Sequence, residues 1–188
     1  MRREVIRQLM HICGGLIAVA IVIVAPAKEA AIAAFAAILA GGYLLSRLHT
    51  DVVHIPFIHS VVSDVERRGE SDIPGKGALI FTFGLLLTNI VFYPFGKTVL
   101  IGAILTVTFG DGLSTLVGKL FGKRQIMKNR TLEGTLAGMI AAAIALSFIV
   151  PIHIAIITAI VGLLAEYIPL NDNYTIPIAA GFCLALLL

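Results

Sequence analysis

Asp111 carries the strongest chemical signal in this chain. It lies near the end of an apolar run that begins near Val99 and is long enough to cross a membrane. A carboxylate at the bilayer centre costs at least about 2.5–3.5 kcal/mol, so such a residue indicates a functional site. Gly110 and Gly112 flank Asp111, and the basic, glycine-rich segment GKLFGKR follows at residues 118–124. An acid that binds a metal beside bases that bind phosphate indicates phosphoryl chemistry at a membrane face.

The segment around Asp111 fits neither of the common nucleotide-binding motifs. The Gly-x-x-x-x-Gly-Lys-Ser/Thr order of a P-loop is absent, and no strand precedes the glycines as a dinucleotide fingerprint requires. Ser114, Gly118 and Gly122 are four residues apart, a spacing also typical of closely packed helices. Lys119 and Lys123 either contact phosphates or extend to the interface from a helix end.

A second group of polar residues lies at the N-terminus. Glu4, Arg7, His11 and Gly14 are spaced by three, four and three residues, which places them on one face of a helix. An intrahelical pair explains Glu4 and Arg7. It does not explain His11, about one turn deeper, which could donate to a phosphate or a hydroxyl, or orient a carboxylate.

Residues 128–135 (KNRTLEGT) begin another apolar run. Asn129 or Thr131 would cap this helix, and Glu133 would then match its dipole. Alternatively, the helix N-terminus beside Lys128 and Arg130 is an anion site. Glu133 would then complete a metal site with Asp111.

Two further segments hold polar residues. Glu166 lies late in an apolar run, and Asn171, Asp172 and Asn173 follow it. A tight turn explains the asparagines alone, whereas Glu166 needs another reason. Residues 74–77 place Lys76 between two glycines, which fits either a loop before a helix or a phosphate contact.

Composition indicates an integral membrane protein. Of 188 residues, 59% are hydrophobic and 13% are charged, about half the charged fraction of a soluble domain. We predict an all-α membrane protein, a polytopic bundle of about seven transmembrane helices. A polar cytoplasmic loop covers about 49–74, part of it an interfacial amphipathic helix, and residues 1–188 form one domain. The predicted helices are 5–25, 29–48, 76–95, 98–119, 132–150, 152–169 and 174–188, the last of them short for a span.

The lysines and arginines predict the orientation. With the N-terminus in the cytoplasm and seven spans, every lysine and arginine except Lys28 and Lys97 lies on the cytoplasmic side. All acidic residues except Glu29 also lie on the cytoplasmic side or in helix ends that open to it, although acidic residues contribute little to orientation. The presence of acidic and basic residues at the same membrane face predicts a polar site that is open to cytosolic small molecules.

These segments together resemble the CTP-dependent integral-membrane lipid-alcohol kinases: dolichol kinase, phytol kinase and the yeast-type diacylglycerol kinase. The resemblance rests on Glu4…Arg7…His11…Gly14, on Gly110-Asp111-Gly112…Gly118…Phe121-Gly122, on Lys128…Thr131…Glu133-Gly134, and on Asp172-Asn173…Thr175-Ile176-Pro177. It implies transfer of the γ-phosphate of a nucleotide, usually CTP, to a membrane alcohol with a divalent cation. Cytidylyl transfer, as in CDP-diacylglycerol or CDP-archaeol synthases, is the alternative within CTP chemistry, and a small transporter is the alternative of another class.

We therefore expect Mg²⁺ or another divalent cation as cofactor, CTP as phosphate donor, a lipid alcohol as substrate, no nucleic acid partner and a possible homodimer. The expected metal ligands are Asp111 and Glu133. The expected catalytic residues are Asp111, Glu133, His11, Glu166 and Asp172. The expected nucleotide or phosphate contacts are Gly110, Gly112, Lys119, Lys123, Lys128, Arg130, Thr131, Arg7, Lys76 and Asn173.

Overall fold

A computed structural model describes residues 2–51, 75–127 and 130–188. The amphipathic helix predicted within residues 49–74 therefore lies almost entirely outside the described residues. The described helices are α1 (Arg2–Val24), α2 (Lys28–Asp51), α3 (Lys76–Phe92), α4 (Lys97–Leu105), α5 (Gly112–Phe121), α6 (Leu132–Leu146), α7 (Ile152–Leu164) and α8 (Asp172–Leu187). Short 3₁₀ turns follow α3 and α7 at Tyr93–Phe95 and Ala165–Tyr167.

The predicted all-α class is confirmed. A π-helical segment, Thr106–Asp111, joins α4 to α5, so the three form one continuous helix, Lys97–Phe121. With that helix counted once, the described segments match the seven predicted helices to within a few residues. Four are long and apolar enough to cross a membrane, and three are shorter apolar helices, which together indicate a multi-pass membrane protein. The four long helices are Arg3–Val24, Lys28–Arg47, Lys76–Phe95 and Lys97–Phe121.

The continuous helix Lys97–Phe121 is the centre of the bundle. In its 18-residue apolar stretch 67% of the residues are buried, whereas the share is 28% or less in the corresponding stretch of each of the other three long helices. Leu100 and Ile104 of α4 are completely buried, and they belong to the same core cluster as Leu146 of α6 and Leu184 of α8. Because the helix is surrounded by others along most of its length, it holds Asp111 in a fixed position relative to them.

Small residues bring α5 and α6 close together. A Cβ atom on Gly134 would lie 2.6 Å from the Ser114 carbonyl oxygen and 2.9 Å from the Gly118 Cα atom. Only glycine fits such an approach of two backbones. The four-residue spacing of Ser114 and Gly118 is thus a packing pattern, one of the two interpretations that the sequence allowed.

A short antiparallel hairpin connects α5 to α6. Its strands are β1 (Gln125–Met127) and β2 (Arg130–Thr131), with Gln125 opposite Thr131. The sequence did not predict this hairpin, because two and three residues are too few to show an alternating pattern. The hairpin matters for the site because it places Arg130 immediately before α6.

Candidate functional site

Arg130 joins three carboxylates at one end of the bundle. Its Nη1 atom lies 3.7 Å from Asp111 Oδ1 and 3.6 Å from Glu166 Oε2. Its Nη2 atom pairs with Asp172 Oδ2. We call these four residues the Arg130 cluster. Their side chains are largely withdrawn from the surface, with 0% of Glu166, 14% of Asp111 and 26% of Asp172 exposed.

Four different elements supply the cluster. Asp111 is the last residue of the π-helical segment, and Arg130 belongs to β2. Glu166 lies in the 3₁₀ turn after α7, and Asp172 is the first residue of α8. Each residue therefore stands where a regular element begins or ends, and the cluster closes only when all four ends meet.

A side-chain cap fixes the start of α8. Asn171 Oδ1 accepts a hydrogen bond from the Asn173 backbone N–H at 3.1 Å, which satisfies one of the free N–H groups of the first turn. The predicted turn at Asn171–Asn173 is therefore a helix N-cap. The cap sets the direction in which Asp172 leaves the helix toward Arg130.

Two hydroxyl groups support the acids. Ser114 Oγ donates to Glu166 Oε2 at 3.2 Å, and Thr115 Oγ1 donates to Asp111 Oδ1 at 3.3 Å. Neither hydroxyl is among the predicted site residues. The spacing in the sequence could have indicated them, because Ser114 and Thr115 are three and four positions after Asp111 and so lie on nearly the same face of a helix.

One carboxylate oxygen of the cluster has no partner in the part of the chain that the structure describes. Glu166 Oε1 is buried and accepts no hydrogen bond from any described residue. Asn173 Oδ1 and Thr175 Oγ1, in the first turn of α8, are likewise buried without a partner within the described residues. Buried polar atoms are nearly always satisfied, and a buried charge is costly unless it is compensated. Glu166 Oε1 is therefore a buried acceptor that a bound group would satisfy.

His11 reaches the cluster from α1. Its Nε2 atom lies 3.2 Å from the Val107 carbonyl oxygen and 3.9 Å from Asp111 Oδ2. Its ring packs on Phe81 of α3, with the ring centroids 4.1 Å apart. The Val107 carbonyl belongs to the π-helical segment, so His11 contacts both the irregular backbone and the acid at its end. The structure thus brings His11 and Asp111 together, as two of the predicted catalytic residues.

Glu4 forms a second charged group, between α1 and α5. It accepts hydrogen bonds from Arg7 at 2.5 Å, from Lys119 at 2.5 Å and from Gln8 at 3.1 Å. The predicted Glu4–Arg7 pair is present. Arg7 and Lys119 were predicted as phosphate contacts, and in this structure Glu4 binds both. This arrangement ties the start of α1 to the end of α5.

Glu133 lies apart from Asp111. Its carboxylate accepts hydrogen bonds from the backbone N–H groups of Lys123, at 3.1 Å, and Arg124, at 3.2 Å. In the part of the chain that the structure describes, no hydrogen bond or ion pair joins Glu133 to Asp111. The predicted metal pair is therefore not brought together. The carboxylate that shares an arginine nitrogen with Asp111 is Glu166.

Three of the remaining predicted contacts, Thr131, Gly110 and Gly112, have structural roles. Thr131 caps α6, because its Oγ1 accepts from the Gly134 N–H at 3.2 Å. Gly110 packs against Leu163, and Gly112 packs against Ile12. Lys123 is exposed after α5, and Lys76 is exposed at the start of α3. Lys128 lies outside the described residues.

An apolar groove lies on the other side of the α5 helix. Its volume is about 480 Å³. Leu105, Phe109 and Leu113 form one wall, and Ala141 and Ile144 of α6 form the other together with Phe148, which follows that helix. Phe109 and Leu113 are two residues on either side of Asp111, which is about half a helical turn. The helix itself therefore separates this groove from the carboxylate.

The acids of the cluster suit a divalent cation that also has other ligands. Among the residues that the structure describes, no three His, Cys, Asp or Glu side chains form a metal site by themselves. Asp111 and Glu166 nevertheless contact one arginine nitrogen, and Glu166 Oε1 is buried without a partner in the described chain. Mg²⁺ is usually held by one or two carboxylates together with substrate phosphates and water. The donor set fits that pattern.

Comparison with known proteins yields one informative relative. The chain is 30% identical over 186 residues to the uncharacterized protein MJ1137 of Methanocaldococcus jannaschii, covering 96% of this chain and 92% of the relative. No established family profile matches the chain, and no solved structure matches it.

Proposed function

The chain belongs to the same protein family as MJ1137 of Methanocaldococcus jannaschii, and we propose that it is a membrane-bound lipid-alcohol kinase. It transfers the γ-phosphate of CTP, or of another nucleoside triphosphate, to a polyprenol, a phytol-like alcohol or a diacylglycerol. The observation that carries the proposal is the Arg130 cluster. It gathers three acids and an arginine at one end of a bundle of mostly apolar helices.

Phosphoryl transfer suits this arrangement because it needs mainly alignment and charge stabilisation. Arg130 supplies a planar, permanently charged donor group of the kind that binds phosphate oxygens. The first turns of α6 and α8 begin next to it, at Leu132 and Asp172, and the positive ends of these two helix dipoles favour an anion. Lys123 and Arg124 are exposed in the segment before the hairpin and add positive charge.

The acids have a separate task in this proposal. Asp111 and Glu166 would hold a divalent cation, which would offset charge on the transferring phosphate. Asp172 is the most exposed of the three acids, and it is therefore the carboxylate that an incoming hydroxyl reaches first. We assign it the role of accepting the hydroxyl proton. His11 holds the π-helical backbone and so positions Asp111.

The position of the cluster determines where the lipid must present its hydroxyl. Arg130, Glu166 and Asp172 lie at helix ends, and Asp111 reaches them from within the helix Lys97–Phe121, so we place the reaction near the depth of the lipid headgroups. A membrane alcohol can place its hydroxyl there while its chain stays among the lipids. The same position argues against a carrier, since carriers hold substrate near the midplane. We place this end of the bundle on the cytoplasmic side, where the nucleotide is available.

A label-transfer assay tests the proposal. Purified protein is incubated with Mg²⁺, a set of lipid alcohols and CTP labelled with ³²P at either the γ or the α position. We expect label in the lipid only from the γ position, and the migration of the product on a thin-layer plate identifies the alcohol.

The other outcomes of the assay contradict the proposal in different ways. Label from the α position would mean that the chain transfers a cytidylyl group, as a CDP-lipid synthase does. If no label is transferred from either position and ATP and GTP are also inactive as donors, kinase activity would be ruled out and a transporter would be favoured.

A further inference from the structure

The Arg130 cluster carries more negative than positive charge. Asp111, Glu166 and Asp172 contribute three carboxylates, and Arg130 contributes one guanidinium. His11 is the other ionisable group that contacts the cluster, at 3.9 Å from Asp111, within the described residues. Counted over these four side chains, the cluster has two more acidic groups than basic groups, an excess that one divalent cation would match.

Burial makes this imbalance costly. The Glu166 side chain has no exposed surface, and its Oε1 atom has no partner within the described residues. Its other oxygen, Oε2, accepts from Ser114 and faces Arg130 Nη1, so the group is directed into the cluster. An unpaired buried carboxylate oxygen is expensive, and a cation that binds it would remove the cost.

We infer that Asp111 and Glu166 are the protein ligands of a divalent cation and that Glu133 is not a ligand. Both carboxylates already face one nitrogen of Arg130, whereas Glu133 is occupied by the Lys123 and Arg124 backbone N–H groups. This inference rests on the proposed function in one respect, because it takes the remaining ligands from the phosphates of a bound nucleotide.

The small number of protein ligands has a consequence for affinity. No three acids, histidines or cysteines in the described ranges form a complete metal site. Two carboxylates alone bind Mg²⁺ or Mn²⁺ weakly, since most of the coordination shell stays water. Cation binding should therefore become tight only when the nucleotide phosphates supply further oxygens.

Equilibrium dialysis with ⁵⁴Mn²⁺ tests this inference without any catalysis. The full-length protein in detergent is dialysed against Mn²⁺ alone, and against Mn²⁺ with β,γ-methylene-CTP, which cannot be hydrolysed at the γ position. We expect the wild-type protein to retain one Mn²⁺ per chain with the analogue and to bind Mn²⁺ at least tenfold more weakly without it. Glu166→Gln should lower the affinity for Mn²⁺ with the analogue by about 10–100-fold, as should Asp111→Asn.

Two matched substitutions serve as controls. Glu29→Gln makes the same chemical change at an exposed position in the first turn of α2 and should bind Mn²⁺ like the wild type. Glu133→Gln tests the rival ligand and should also retain Mn²⁺. Wild-type affinity in both Glu166→Gln and Asp111→Asn, or loss of binding only in Glu133→Gln, would overturn the inference.

Folding and the proposed function can be separated from this result. Glu166→Gln keeps an oxygen that can accept from Ser114, and size-exclusion chromatography checks that it elutes as the wild type does. If it does not fold, Asp111→Asn, at a partly exposed position, decides the question. A wild-type protein that phosphorylates lipid but binds Mn²⁺ independently of both acids keeps the kinase and refutes the ligands. A wild-type protein that binds Mn²⁺ through both acids but transfers no label to lipid keeps the two ligands and refutes the kinase.

Discussion

At the level of single residues, Arg130 is the position where a substitution should cost the most stability. It faces three carboxylates, one of them fully buried. Arg130→Met removes the positive charge and keeps much of the side-chain volume. Because it leaves a buried acid without its partner, we expect a loss of about 3–5 kcal/mol in the free energy of unfolding. Unfolding in mixed micelles with increasing SDS measures this loss.

A double substitution shows whether the loss comes from the stranded acid. Glu166→Gln in the Arg130→Met background removes the buried charge, so part of the stability should return. Lys28→Met, at the first residue of α2, removes a lysine at the other end of the bundle and should have a small effect. If the two substitutions at Arg130 and Glu166 were simply additive, the coupling that the structure indicates would be absent.

The sequence identified every member of the Arg130 cluster but not how the members pair. Charged residues within or beside apolar runs are conspicuous because they are costly there, so Asp111 and Glu166 could be found without a structure. The choice of Glu133 as partner of Asp111 was not supported, because its side chain bonds to the preceding turn. Proximity along the chain favoured Glu133, whereas the fold brings Glu166 from a distant helix.

At the level of elements, the π-helical segment Thr106–Asp111 is the local irregularity on which the site depends. Such segments are rare and often occur at functional sites. Its geometry allows the Val107 carbonyl to face His11 Nε2 at 3.2 Å. Sequence periodicity does not reveal a single wide turn inside a helix, so this feature was not predictable.

His11 substitutions test the role of that contact. His11→Ala removes the donor from a buried carbonyl and should lower stability by about 1–3 kcal/mol and reduce activity. His11→Gln can still donate and should preserve most of both. Loss of activity in His11→Gln with unchanged stability would show that the imidazole has a chemical role of its own. SDS unfolding and the γ-label assay, performed on both variants, separate these cases.

The close approach of α5 and α6 can be tested with glycine substitutions. Gly134→Ala would place a Cβ atom 2.6 Å from the Ser114 carbonyl oxygen, so the helices must separate. We expect a loss of about 1–3 kcal/mol, together with reduced activity because Ser114 and Arg130 both shift. Gly41→Ala in α2 meets no atom within 4 Å and should instead be neutral or stabilising by about 0.5–1 kcal/mol. Equal effects of the two substitutions would contradict the packing argument.

At the level of the whole molecule, the charged contacts divide the bundle into two unlike ends. Glu4 with Lys119 and the Arg130 cluster lie at one end. Lys97 donates to the Ile23 and Ala25 carbonyls at the end of α1, which is the opposite end. The number and order of the helices followed from the apolar runs, because polar residues, glycines or prolines separate one run from the next. The hairpin could not be predicted in this way, because its strands are too short.

Cysteine labelling tests the predicted orientation. In a variant with Cys13 and Cys183 replaced by alanine, a single cysteine is placed at position 97 or at position 123. A membrane-impermeant maleimide added to intact cells should label Lys97→Cys, while Lys123→Cys should react only after the membrane is opened. The reverse pattern would place the Arg130 cluster outside the cytoplasm and would remove the nucleotide from its reach.

The measurement that tests the central claim most directly is γ-phosphate transfer by Asp111→Asn. This substitution keeps the size of the side chain and removes its charge at the centre of the proposed site. We predict that the purified variant elutes and unfolds as a folded protein and transfers no measurable label from γ-³²P CTP to the lipid alcohol. Glu29→Gln, prepared in parallel, should transfer label at the wild-type rate. Activity of Asp111→Asn close to that of the wild type would contradict the account of the site.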